Sequence, residues 1–377
     1  MIGKRAIFFV FAVSLLLLLM NSTSEAIDTA EIDRVRNKGV LDSKDFKIID
    51  SFVAEAVREL VETRDFTSIA KHRTVILSRS SSSEQSAAAQ YAEQFSESAY
   101  KYISKAFEEA EELIPEEQKH KVIVNLLILV DGLEDIRLAE LGTKMVHNDS
   151  SIIRYWAVHS ITNPGFIKQL NPTATTNLEI AESITKELKK VVNEVGPETL
   201  ALIAEFAAEV DIPQAEALLL QAADMRISKY ADWTVKYELL DGTILKLLDN
   251  KIPTEGENTP AIARRFAQLY SYAIQRYVKG QDYLNGTQKQ QLASVLVETE
   301  ILCISRRLRM AQSIIKKAVE EGDFATLTQE HSRLLGDETR AGQLAVELKF
   351  DYGEKADDSK RTAPLLLPGP PKIEAGE

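Results

Sequence analysis

Apolar residues along this chain recur at helical steps, and strand-like alternation is scarce. Phe46, Ile49, Phe52, Val53, Ala56, Val57 and Leu60 follow at three- and four-residue intervals, which predicts a helix over residues 43–63. A shorter helix precedes it and stops at Gly39. The stretch "TVILS" has strand character, but it is isolated and reads as helix. A long helix is predicted over 84–114, with Ala88, Ala92, Phe95, Ala99, Tyr102, Ala106, Ala110 and Leu113 on one stripe. Ser81 and Glu84 stand before it at the spacing of a capping box, and Pro115 opens the next helix. Shorter helices are predicted over 116–130, 133–146, 150–162, 173–195, 197–210, 213–228, 233–249 and 260–278. The sequences "DG", "NDS", "NPG", "GP" and "DIP" punctuate them. Asn285-Gly286-Thr287 caps a second long helix, 288–321, whose seam is Ile301, Ile304, Leu308, Ala311, Ile315 and Ala318. The pattern predicts an all-α fold: an irregular α-solenoid or a bundle of antiparallel helix pairs, with two long helices.

The two ends read differently. Lys4 and Arg5 precede an uncharged apolar run, Ala6–Met20, and a small-x-small pair at Ser24 and Ala26 follows. This is the layout of a signal peptide over 1–26, with Ile27 as the mature start. The run is shorter than a membrane span needs, so no stable span is expected after cleavage. An exported protein follows, periplasmic or secreted, with a bacterial host favoured. In a eukaryotic host, Asn148 and Asn285 would be glycosylation acceptors. Cys303 is the only cysteine, so stability comes from packing. Residues 351–377 are charged and then proline-rich, without period, and are expected to be disordered. Within them "LLLPGPP" (Leu365–Pro371) is a candidate docking peptide for another protein's groove.

Formal charge is −12, which disfavours nucleic acid as a partner. It is unevenly spread. Residues 259–320 carry ten Lys/Arg against four Asp/Glu, and 27–258 carry the excess of acid. The polar stretch "NKIPTEGENTP" coincides with the reversal. It divides a repeat-like domain, 27–250, from a C-terminal helical subdomain, 259–350. Such an asymmetry allows head-to-tail self-association, or is compositional drift.

"HNDSSIIRYWAV", from His147, resembles the HEAT-repeat family at its intra-repeat turn, with Asp149 in the turn, Ile153-Arg154, then Ala157, Val158 and Ile161. "LEDIRLAELGTKM" has a similar core at Ile136-Arg137-x-Ala139. The resemblance implies that Asp149 caps the following helix and that Arg154 reaches the turn of an adjacent repeat. It is clearest over 133–162. The Asp149 and Asp211 turns lie further apart than one repeat of that family, so the array is irregular.

Candidate chemistry is thin. His147, Asp149 and His159 suggest metal ligands, but the first two sit in a turn and the third nearly three helical turns on. No HExxH, CxxC, GxSxG, Walker or GxGxxG pattern occurs, and no metal or cofactor is expected. Adjacent acidic pairs such as Glu111-Glu112 point about 100° apart on a helix and make no shared-proton dyad. His72, His120 and His331 are scattered singles, and Trp156 and Trp233 read as packing. "SRRLRM" places Arg306, Arg307 and Arg309 together, either for an anion or acidic partner or as a face bridging to the acidic half. The expectation is an exported, non-catalytic helical scaffold that binds another protein. An all-α enzyme with a site assembled from distant helices, and a self-assembling envelope protein, remain open.

Overall fold

Side-chain caps and small residues set the ends of these helices. The computed structural model describes residues 29–171, 175–253 and 260–371. The expected signal segment, the middle of the expected linker and the last six residues lie outside the described part. Among the described residues the chain is helical up to Glu347, with two isolated bridges, Gly336–Ala341 and Glu354–Lys360, and an extended stretch over 364–371. No helix among the described residues is long and apolar enough to cross a membrane.

The chain divides into two compact units, one ending at Leu133 and the other beginning at Glu134. In the first, α1 (Ala30–Arg36), α2 (Ser43–Glu62), α3 (Phe66–Leu77), α4 (Ala88–Glu111) and α5 (Glu116–Leu133) succeed one another. Asp42 caps α2, accepting from the Lys44 and Asp45 amides at 2.7 and 3.2 Å, and the Asp45 carboxylate answers by accepting from the Asp42 amide. The face predicted for α2 is its buried one, packed on α3 and α4. "TVILS" lies within α3. The capping box expected at Ser81 and Glu84 does not form. Ser82 instead accepts from the Glu84 amide and donates to the Arg36 carbonyl, and a short 3₁₀ turn at Gln85–Ala87 leads into α4. The buried stripe of α4 is Tyr91, Phe95, Ala99, Ile103, Ala106 and Ala110.

The second unit begins with α6 (Ala139–Met145), α7 (Ser151–Thr162), α8 (Pro164–Leu170), α9 (Thr175–Val191), α10 (Pro197–Glu209) and α11 (Pro213–Ala231). It continues with α12 (Leu239–Lys251), α13 (Pro260–Lys279), α14 (Gly286–Thr299), α15 (Ile314–Glu321), α16 (Phe324–Leu335) and α17 (Gln343–Glu347). The boundary expected at 250–259 does not separate domains. Helices α11 and α12, before it, pack directly on α13, after it. Helix α13 is the axis of this region, buried along nearly its whole length and enclosed by α11, α12, α14 and α16.

Asn285 does cap α14, through a reciprocal box with Gln288. The long helix expected to follow is broken. A π-helical turn at Glu300–Ile304 shifts the register, so Ile301, expected on the seam, is 46% exposed. The buried Glu300 carboxylate then accepts from the Ile315 and Lys316 amides, both at 2.8 Å, and so starts α15. Of the stretch 351–377, expected to be disordered, residues 351–371 are described and make defined contacts. They leave α17 and return along α13.

Candidate functional site

A helix buried on most sides selects apolar side chains, so its polar residues stand out. On α13 the buried ones are Gln268, Ser271, Gln275 and Arg276, with Arg264 and Arg265 half-buried in its first turns and Lys279 exposed at its end. Steps of seven and four residues turn through nearly whole revolutions, so Gln268, Gln275 and Lys279 share one face over about 16 Å. Along that face lies the tail.

The contact is read almost wholly on the tail's main chain. Gln268 pairs with both polar groups of Leu365, its amide nitrogen donating to the carbonyl at 3.3 Å and its oxygen accepting from the N–H at 2.8 Å. Gln275 donates to the same Leu365 carbonyl at 3.2 Å and accepts from the Leu367 N–H at 2.8 Å. Lys279 Nζ donates to the Leu367 carbonyl at 2.5 Å. Two glutamines thereby act as the edge of a sheet, giving an extended segment the ladder partners that a neighbouring strand would provide.

Further anchors fix both ends. The Trp233 indole N–H donates to the Pro368 carbonyl at 3.0 Å. Trp233 has a positive φ of 58° and packs edge-on against Tyr283 and over the guanidinium of Arg276, 5.1 Å away. At the other end the Thr362 hydroxyl donates to the Asp337 carbonyl at 2.7 Å. Gly336, at φ 103°, lets the tail approach. A Cβ there would stand 2.2 Å from the Thr362 carbonyl oxygen. Of the three leucines, Leu367 is 2% exposed, whereas Leu365 and Leu366 are 46% and 70% exposed.

Beside the tail opens a cavity of about 620 Å³, lined by Ile274, Val278, Lys279, His331, Pro364 and Leu366 among others. That volume is in the range of small-ligand sites. His331 Nε2 lies 2.8 Å from Ser271 Oγ, which also accepts from Gln275 Nε2 at 2.9 Å. A Ser–His contact has the reach needed for general-base activation. Here Ser271 is fully buried beneath Gln275. Burial, with Lys279 nearby, lowers the His331 pKa from 6.5 to about 4. The network therefore orients the Gln275 amide toward the tail and keeps His331 neutral at pH 7. Burial also lowers the Lys279 pKa.

The residues selected from sequence lie elsewhere. The cap of α7 is Ser150, whose hydroxyl accepts from the Ile153 amide at 3.5 Å, and not Asp149. Arg154 bonds the carbonyls of Asn148 and Asp149 at 2.9 and 3.3 Å, so it closes its own turn and does not reach an adjacent one. His147 Nε2 pairs with Glu187 at 2.7 Å, while His159 packs against Tyr155 and Trp156. The arginine cluster is divided. Arg306 and Arg307 both bind the buried Asp249 carboxylate, and Arg307 also bonds the Asp249 and Pro253 carbonyls. These two arginines therefore bridge to the acidic half of the chain and are not a free anion site. Arg309 is exposed at φ 53°. Beside Asp249 the Cys303 thiol is buried, and burial followed by that carboxylate pushes its pKa to about 12.

Sequence reasoning missed Gln268, Gln275 and Lys279. The available signal was three polar residues in phase on one face of a helix whose other positions are mostly apolar. No family model, no curated protein and no solved structure matches the chain.

Proposed function

We propose that this chain is an exported, non-catalytic helical scaffold that binds another protein, with α13 as the seat for an extended, uncharged segment rich in leucine and proline. One observation carries the reading: Gln268 and Gln275 pair with successive main-chain groups of residues 365–367. Main-chain bonds of this kind supply affinity in strand-addition recognition, while pockets for alternate side chains supply selectivity. The buried Leu367 beside the exposed Leu366 fits that division. The packing of α10 on both α7 and α11 supports an irregular, HEAT-like solenoid as the frame. Export rests on the N-terminal leader pattern.

A fluorescent peptide of residues 361–371 tests the seat, added to the full chain carrying Leu367→Asp so that its own tail is loosened. Saturable binding is expected, weakened about tenfold by a further Gln275→Ala change that removes two main-chain bonds. Binding indifferent to Gln275 and Gln268 would sink the reading.

A further inference from the structure

The tail that fills this seat belongs to the same chain, and its grip does not require that it should. Seven contacts hold it: two from Gln268, two from Gln275, and one each from Lys279, Trp233 and the Asp337 carbonyl. Six of them end on main-chain groups of residues 365–368, which any copy of the segment presents identically. The side-chain share is small, chiefly Leu367 and the buried Pro364.

The stretch leading into the tail is anchored at its start by the buried Phe350 and Tyr352, and its loop closes mainly on itself, through the Lys360–Asp351 ion pair at 2.9 Å and backbone bonds between Tyr352, Gly353 and Arg361. Arg264 bonds the Asp351 carbonyl and carboxylate at 2.7 and 3.0 Å, and the single bridge Glu354–Lys360 closes a short loop. Between Arg361 and the first glutamine contact at Leu365, the Thr362 bond is the one side-chain tether among the hydrogen bonds described. Helix α13 packs directly on α11, α12, α14 and α16, so its place among them does not rest on the tail alone. The docked tail meanwhile turns Leu365 and Leu366 outward, both more exposed than Leu367.

We propose that the occupant of the α13 seat is exchangeable between copies, so that the leucine–proline tail of one chain docks on Gln268, Gln275, Lys279 and Trp233 of a second. This rests on the seat being a peptide-binding groove, and it names the partner as a second copy of this chain. Exchange of an identical element reuses every bond of the closed form and requires no new interface. The closed form holds its tail at an effective concentration on the order of millimolar. Exchange is therefore sparse in dilute solution and grows as the protein itself nears that concentration.

Two full-length variants with complementary defects remove the competition from the closed form. Gln268→Ala/Gln275→Ala has an intact tail and a dead seat; Leu367→Asp has an open seat and a dead tail. Each alone is expected to sediment as a monomer. Mixed in equal amounts, they are expected to form a dimer that free peptide 361–371 dissociates. Helical content and melting of each variant are measured first. Leu367→Ser and Lys279→Met replace any variant that does not fold. A mixture that stays monomeric, while the same peptide binds the open-seat chain, overturns exchange between copies and leaves the groove standing. A mixture that stays monomeric and binds no peptide overturns both. A dimer unaffected by the peptide overturns the tail as its cause.

Discussion

Arg226 and Asp241 form a two-point ion pair, at 2.6 and 2.9 Å, with neither side chain open to solvent. The pair joins α11 to α12, and the Tyr230 hydroxyl donates to the same carboxylate at 2.7 Å. Arg226 also bonds the carbonyls of Lys236 and Tyr237, fixing the connection between the two helices. Removing one member strands a buried charge, which costs about 3–5 kcal/mol. Asp241→Ala should lose that much in urea unfolding, whereas Tyr230→Phe should lose less, about 1.5–3 kcal/mol, the value of one hydrogen bond to a charged group. Equal small losses for both variants would mean that Asp241 is solvated.

His331 makes stability depend on pH. Its folded pKa lies near 4 against an ordinary 6.5, because burial, with Lys279 nearby, disfavours the imidazolium. Between those values the unfolded chain binds the extra proton, so stability rises with pH across that window and is fully present above 6.5. Acidification from pH 7 to 4 should therefore remove about 3 kcal/mol through this one group. Unfolding of the wild type and His331→Asn across this range checks it. The variant should be flatter there, and matching slopes would remove His331 as the cause.

How far these features were legible varied with the physics behind each. The face of α2 and the Asn285 cap follow from local spacing, and both stand where the pattern put them. Helix α8 went unread because "NPG" resembles a break. Asn163 and Pro164 are instead the cap and first residue of a helix, Asn163 accepting from the Phe166 amide. The π turn at Glu300–Ile304 was invisible because helical period continues through it, and its register shift is set by the buried Glu300 gripping α15. The tail has no period at all. Its order is supplied by glutamines some ninety positions earlier, a pairing that only the tertiary fold brings together.

Arg154 holds its own turn by bonding the Asn148 and Asp149 carbonyls. Arg154→Ala should cost about 1 kcal/mol, a drop in melting temperature of about 2–4 °C in a unit of this size. Asp149→Ala should change little, because Ser150 provides the α7 cap. Thermal scans of the two variants distinguish a self-contained turn from one shared between repeats. In the shared case the arginine change would approach the cost of a buried pair.

Gly142 offers a test of close approach between α6 and α7. Alanine is ordinarily favoured over glycine inside a helix by about 1 kcal/mol. A Cβ at Gly142, however, would stand 2.5 Å from Ile161 Cγ2 and 2.6 Å from Ser160 Oγ, both buried on α7. Relieving such overlap in a packed interior costs about 1–3 kcal/mol, so Gly142→Ala should destabilise the protein despite its helical advantage. Gly286, at the first turn of α14, has nothing within 4 Å of the same position. There the substitution should stabilise by about 0.4–1 kcal/mol, through lost freedom in the unfolded chain. The two variants should move the urea midpoint in opposite directions. A stabilising shift for Gly142→Ala would show that α6 and α7 are not in contact at Gly142.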